Sequence, residues 1–289
     1  MADNSVEYPN VEYPGGFGIH DVIGYGNSSL LVLDSRTLET VTAIKKPLDA
    51  NGALHVDRER QIYERFALQG GHGGLLKYYG TVENGIRLEY AARHDLDTPD
   101  VTEQPLHVRR RWIMQIAVAL RFIHGAGVIH GDLRRANILV DDKLDAKVAD
   151  FAGSSLDLSP LLIESPAFNP YYTPLSTKGD IYAFGSLAYE ILTGHRPDLD
   201  RGLSFSQELE GESLGICAMI IKKCWQGAYS NCDGLIQDLN AAAPGSSPAR
   251  NIVTMRMAML GIVGLTIAVL ALRPSAKAWF SVRFIRTSM

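Results

Sequence analysis

The stretch VIHGDLRRANILVDDKLDAKVADFAG, residues 128–153, constrains this chain more than any other. An apolar run, Ile138-Leu139-Val140, is followed by a polar turn, Asp141-Asp142-Lys143, and a second short apolar segment. Two carboxylates and one amide edge these segments: Asp132, then Asn137, then Asp150. Short strands bordered by hard oxygen donors suit a magnesium–nucleotide complex, because Mg²⁺ keeps several waters and needs only one or two protein oxygens beside the phosphates. The remaining aspartate can orient a hydroxyl and take its proton as it attacks phosphorus. An Asp-x4-Asn spacing is weak alone, so a phosphate cradle and a cation must come from elsewhere in the chain.

Composition permits such a site. With 46% apolar and 21% charged residues in a chain of 289, there is enough apolar material for a sizeable core. The first 249 residues carry 22 basic against 32 acidic groups, net −10, while all six later charges are basic. An acidic body of this kind repels a phosphate backbone and argues against nucleic acid as a partner. Cys217, Cys224 and Cys232 lack tight metal spacing and read as reduced thiols. The first residues, MADNSVEYPNVEYPGG, are acidic and without an apolar centre, and read as a flexible leader over 1–17.

Hydrophobic periodicity orders the rest. Residues 17–45 read as strands broken by glycines and Asn27-Ser28-Ser29. DRERQIYERFALQ, 57–69, places Ile62 and Phe66 on one helical face. LLKYYGTVENGIRLEYA reads as a hairpin turning at Glu83-Asn84-Gly85, since Asn-Gly favours positive φ. Helices follow over 108–127 and 178–194, each with a glycine stop, and in GICAMIIKKCW and CDGLIQDLNAA. Strands first and helices later make an α+β chain in two lobes.

The cradle and the cation occur in order ahead of the opening stretch. IGYGNSSLL, 23–31, is a glycine-bearing hairpin; TAIK, 42–45, supplies Lys45; and Glu59 lies on the next helix. Singly, each has a plainer reading: a strand-end lysine, a solvated glutamate among Asp57, Arg58, Arg60 and Glu64, aspartates that form turns. Together they resemble the eukaryotic protein kinase family over roughly residues 18–243. The resemblance implies a bilobal fold, with a small β-rich N-lobe at 18–90 and a helical C-lobe at 91–243. It implies ATP and Mg²⁺ as cofactors and a protein substrate. Gly24 and Gly26 would let the hairpin backbone approach the phosphates, with Ser29 in place of a third glycine. Lys45 would hold the α- and β-phosphates and pair with Glu59. Leu31, Ala43 and Leu139 would sandwich the adenine behind a gatekeeper, Leu88, and the backbone of Glu89 and Ala91 would bond the base. In HGDLRRAN, 130–137, Asp132 would be the base, Arg134 a phosphate-facing cation and Asn137 a metal ligand. Asp150 of DFAG would bridge metal to phosphates, and Asp180 would brace the catalytic loop from beneath.

Several positions depart from the family pattern. Gly131 stands where an Arg usually grips a phosphate on the activation segment, which predicts regulation independent of phosphorylation there, although Ser154, Ser155, Tyr171, Tyr172 and Thr173 are on offer. Ala152 replaces a glycine, and the usual end of the activation segment is not recognisable in ESPAFNPYYTPLSTKGD. The five ionic and amide groups nonetheless survive, so the expectation is an active serine/threonine kinase, with tyrosine as a possible acceptor. The alternative is a pseudokinase that binds ATP or docks partners without transfer.

After a linker at 244–251, MAMLGIVGLTIAVLAL, 257–272, is uncharged and bounded by Arg256 and Arg273. With its flanks it predicts a transmembrane helix over 252–273, an apolar C-terminal helix with no core left to enter. A basic tail, 274–289, brings Trp279 and Phe280 to the interface. The implied location is a membrane, tail-anchored, with the kinase domain facing the cytosol; the alternative is a cytoplasmic protein.

Overall fold

The computed structural model describes residues 12–36, 40–93, 95–163, 175–197 and 214–243. The chain divides into two units, 1–242 and 243–289, and the fold below is that of the first. Strands Val22–Tyr25 (β1), Ser29–Asp34 (β2), Thr42–Pro47 (β3), Tyr78–Val82 (β4) and Gly85–Glu89 (β5) form one antiparallel sheet in the order β1-β2-β3-β5-β4.

Register decides what this sheet can do. Leu31 pairs with Lys45, Leu33 with Ala43, Ala43 with Leu88, and Lys45 with Ile86. Directly paired residues share a face, so Leu31, Ala43, Lys45 and Leu88 all lie on one side. The opposite side carries Leu30, Val32 and Ile44, a small core of its own closed by Tyr13, Phe17, Val22, Leu48 and Val82. Residues 12–17 fall in the stretch expected to be a flexible leader, yet they lie against this second face. Tyr13 and Phe17 pack there, Lys46 Nζ donates to the Tyr13 carbonyl at 3.3 Å, and the Arg36 guanidinium sits 3.5 Å above the Phe17 ring. Arg36 also bonds Asp34 and, together with Arg87 and against the effect of burial, lowers that carboxyl's pKa to about 2.

Helix Ala50–Leu68 (α1) begins seven residues before the periodicity announces it. Its N-cap is Asp49, whose side chain accepts from the Gly52 amide at 2.7 Å. Gly52 is dictated by packing, since a Cβ there would lie 2.0 Å from the Ser28 carbonyl oxygen. In the β4–β5 hairpin, positive φ falls on Glu83 (52°) and not on Asn84-Gly85. Gly85 is required for a different reason: a Cβ would stand 2.5 Å from the Lys45 carbonyl oxygen.

The second lobe is helical, with short strands at its upper edge. Helix Leu106–Gly125 (α2) leads into Val128–Ile129 (β6); Ile138–Val140 (β7) and Ala146–Val148 (β8) form a hairpin; Ser155–Leu156 (β9) pairs with β6. Helix Thr177–Thr193 (α3) is buried from Asp180 to Leu192 and ends on Gly194, φ 79°. Cys217–Trp225 (α4) and Cys232–Ala241 (α5) pack around it and around α2. α4 approaches so closely that a Cβ on Gly185 would be 2.7 Å from the Cys224 Cβ. Trp225, fully buried, donates its indole N–H to Ser186 Oγ at 3.0 Å. All three cysteines are free and buried, as reduced thiols; burial pushes the Cys232 thiol up to about 12.

Among the described residues no helix is long and apolar enough to cross a membrane. The apolar helix expected at 252–273 and the basic tail lie outside the described residues.

Candidate functional site

The β7–β8 hairpin answers why two polar side chains flank its strands. Ile138 pairs with Val148, and the Ala149 amide donates to the Asn137 carbonyl at 2.9 Å. Asn137 therefore enters one strand where Asp150 leaves the other, and both stand at the open end of a single hairpin. Asp150 has φ 64°, a left-handed conformation that Asp tolerates better than most residues.

Opposite that mouth stands Lys45 on β3. Its Nζ lies 2.6 Å from Glu59 Oε2 and 2.7 Å from Asp150 Oδ1. Burial disfavours the ammonium, but the two carboxylates more than offset it, and the Lys45 pKa is raised. Chiefly through Lys45, the Asp150 carboxyl is held below its ordinary range, while its side chain remains 45% exposed. Glu59 is 1% exposed, so the plainer reading of it as a solvated helix face fails. Its other oxygen accepts from the Phe151 amide at 3.2 Å. The Phe151 ring packs between Tyr63 and Phe66 of α1 and His130 of the loop before β7, with centroids 5.1–5.5 Å apart. One phenylalanine thus ties the helix that carries Glu59 to the loop that carries Asp132.

Asn137 Nδ2 donates to the Asp132 carbonyl (2.7 Å) and to Asp132 Oδ2 (3.1 Å), which also meets Arg134 Nε at 3.2 Å. Both donors use the same oxygen, so among the described residues Asp132 Oδ1 is left without a hydrogen bond. Since the Asn137 amide nitrogen is engaged, its oxygen is the atom available to a metal. The loop rests on Asp180 of α3: Oδ1 accepts from the Gly131 amide and Oδ2 from the His130 amide, each at 2.9 Å, and His124 Nε2 meets Oδ2 at 2.8 Å. Burial opposes ionisation of Asp180, but the His124 imidazole and these amides hold its pKa below the usual value.

The glycine hairpin fits a cradle. Gly26 N donates to the Ser29 carbonyl at 2.9 Å, closing the turn between β1 and β2. Neither Gly24 nor Gly26 has positive φ, and a Cβ at either would meet its neighbours no closer than 3.5 Å. Among the described residues nothing demands glycine at these two positions, and their lack of a side chain leaves the hairpin backbone open to close approach. Leu31, Ala43, Lys45 and Leu88 share the sheet face below it. Ser29 opens β2, Glu89 closes β5, Ala91 is buried just beyond, and Leu139 is the middle residue of β7. The donor set also fits magnesium, with one amide oxygen and one ionised carboxylate at a hairpin mouth.

Sequence reading assigned no role to four residues that the geometry makes prominent. His130 accepts from the Asp132 amide at Nδ1 (3.3 Å) and meets the Ala149 carbonyl at Nε2 (3.1 Å), contacts satisfied by an imidazole protonated on Nε2. His55, Arg58 and Arg65 of α1 each reach residues 152–160. The three α1 residues carry no spacing signal, because their contacts join segments far apart in the chain.

Comparison with known proteins agrees with the geometry. The protein kinase domain family matches residues 17–246. Over 197 residues the chain is 32% identical to calmodulin-binding receptor-like cytoplasmic kinase 1 of Arabidopsis thaliana, covering 60% of this chain and 41% of that protein. It is 30% identical over 160 residues to serine/threonine-protein kinase GIN4 of Saccharomyces cerevisiae, covering 50% and 14%. A third match, to calmodulin-binding receptor-like cytoplasmic kinase 3 of A. thaliana, is 29% identical over 63% of this chain and 40% of the relative. The matched region therefore spans less than half the length of these relatives. With a family match across most of its length, and a lysine, a glutamate and an aspartate joined at one hairpin mouth, the chain belongs to the protein kinase family.

Proposed function

We propose that this protein is an active kinase that transfers the γ-phosphoryl group of ATP to serine or threonine hydroxyls of a protein substrate. The observation that carries this reading is the assembled Lys45–Glu59–Asp150 group, with its 2.6 and 2.7 Å contacts. Phosphoryl transfer depends mostly on positioning and charge neutralisation, and these residues supply both. Lys45 binds the α- and β-phosphates, and Glu59 keeps its ammonium aimed at them. Gly24, Gly26 and Ser29 allow the hairpin backbone to close over the phosphates. Leu31, Ala43 and Leu139 enclose the adenine, with Leu88 behind it and the Glu89 and Ala91 backbone at its edge. Asn137 and Asp150 would hold Mg²⁺, which would neutralise phosphate charge. Asp132 orients the acceptor hydroxyl through Oδ1 and takes its proton, while Arg134 lies beside it toward the phosphate.

The test is transfer from γ-labelled ATP to a generic protein acceptor. Wild-type protein is expected to label serine or threonine. Lys45→Ala, which leaves Glu59 and Asp150 facing each other without a cation, should lower the rate at saturating ATP by roughly 10²–10³-fold. Nucleotide binding with no labelled product would replace the catalytic reading with that of an ATP-binding scaffold.

The location proposed for the protein rests on sequence alone: a membrane anchor at 252–273, with the kinase domain on the cytosolic side. Alkaline carbonate is expected to leave the full chain in the membrane pellet; recovery in the supernatant counts against the anchor.

A further inference from the structure

The first part of the activation segment is held without any phosphate. Arg58, immediately before Glu59 on α1, donates through Nη1 to the Ser154 carbonyl at 2.7 Å and to the Pro160 carbonyl at 3.2 Å. A single guanidinium nitrogen therefore closes the loop between residues 154 and 160 and fastens it to the helix. Hydrogen bonds from a charged donor are the stronger kind, and a guanidinium keeps its charge at any physiological pH. The contacts of His55 with the Ala152 carbonyl (3.2 Å) and of Arg65 with Asp157 (2.7 and 3.0 Å) run parallel to it. Asp157 is 60% exposed, so the Arg65 pair is screened by solvent and is the weaker tie.

From the other side the segment is held by apolar packing. Gly131, at φ 78°, leaves a space that Leu161 fills, and a Cβ on Gly131 would lie 2.6 Å from Leu161 Cδ2. Gly153 admits Ile163 in the same way, with a clearance of 2.7 Å to the Ile163 Cβ, and its carbonyl accepts from the Leu162 amide at 2.9 Å. The position where the family carries a phosphate-gripping arginine is thus closed by a leucine. Ser154 and Ser155 are fully buried, and Ser154 Oγ donates to the His130 carbonyl at 2.8 Å. Neither hydroxyl is open to modification in this arrangement.

We propose that Arg58 is a positioning residue, which, with Leu161 seated on Gly131, orders residues 152–163 under α1 and keeps Glu59 on Lys45 in the unphosphorylated protein. This rests on the kinase reading above for its consequence in rate, but not for its consequence in structure. Phe151 links the two, because its amide bonds Glu59 while its chain leads directly into the segment that Arg58 fastens.

The experiment pairs amide hydrogen exchange with transfer kinetics on the full chain, for wild type, Arg58→Ala and Arg58→Lys. In Arg58→Ala the amides of Ser154 and Leu162 are expected to exchange at least about tenfold faster, with the melting temperature little moved. The turnover number should fall roughly 10- to 100-fold while KM for ATP changes less than about threefold, as befits misplacement of groups that remain present. Arg58→Lys, able to reach one carbonyl, should fall between the two. Phosphatase treatment of wild type should alter neither measurement. Unchanged exchange in Arg58→Ala overturns the tether. Faster exchange with unchanged turnover overturns its role in the reaction, and loss of rate on phosphatase treatment overturns phosphate independence. If wild type transfers no label while exchange still responds to Arg58, the kinase reading fails and the tether stands. Should Arg58→Ala not fold, Leu161→Ala loosens the same segment from its apolar side and is read by the same exchange.

Discussion

Asp132→Asn is expected to abolish most of the proposed phosphotransfer while leaving the fold in place. Asn keeps the shape of Asp, and its carbonyl oxygen can occupy the place of Oδ2, accepting from Asn137 Nδ2 and facing Arg134 as the carboxylate does. What changes is the other terminus. Oδ1, without a hydrogen bond among the described residues, becomes an NH₂ that can neither accept a proton nor receive a hydroxyl. Loss of a positioned base costs typically 10²–10⁴-fold in rate, and the expected loss here lies in that range. Affinity for ATP should be retained, since no phosphate-facing group is altered. Transfer of labelled phosphate and a thermal melt with and without nucleotide decide the matter: a rate within threefold of wild type would remove Asp132 from the chemistry.

Asp180→Ala is expected to have the largest effect on stability. Three donors converge on that buried carboxylate: the buried His130 amide and the half-buried Gly131 amide and His124 ring. Alanine satisfies none of them and leaves a polar void beneath the loop that presents Asp132. Stripping one partner from a buried, hydrogen-bonded charge costs about 3–5 kcal/mol. For a domain of this size that corresponds to a fall of roughly 10 °C in melting temperature. Asp180→Asn, which retains one accepting oxygen, should lose less. The sign with pH follows from the depressed pKa. The contribution is complete above the unfolded-state value near 4 and fades only as pH falls below it. A melting temperature within 2 °C of wild type for the alanine variant would contradict the bracing role.

Much of this arrangement is legible in the sequence because it is carried by local pattern. The strands β1–β5 and helices α2 and α3 announce themselves by alternation, by 3.6-residue periodicity and by glycine stops such as Gly194. The placement of Asn137 and Asp150 at one mouth follows from the shortness of the hairpin between them. The common face of Lys45, Ala43, Leu31 and Leu88 comes from pairings such as Ala43 with Leu88 that join distant parts of the chain, and the sequence suggested it only through the family resemblance. The start of α1 is not legible, because the apolar periodicity begins only at 57–69, and the Asp49 cap and the close approach of Ser28 to Gly52 are visible only in the fold. The hairpin turns at Glu83-Asn84 as expected, but not for the expected reason: the positive φ falls on Glu83, and Gly85 serves sheet packing against Lys45. The interlobe ties of Arg58 and His55 escape altogether. Each joins residues about a hundred positions apart, and nothing in a single sequence marks which arginine on a charged helix will face inward.

The six residues ahead of the first turn of the sheet have a consequence for where this folding unit starts. Tyr13 and Phe17 supply part of the hydrophobic covering for Leu30, Val32 and Ile44, and Lys46 is neutralised in part from the same segment through Glu12. Chemistry alone would set the edge at the glycine hairpin, since no catalytic group precedes it. Packing sets it earlier. A version trimmed to the nucleotide-handling motifs would keep every reactive atom and present to water the greasy back of the sheet that aims them.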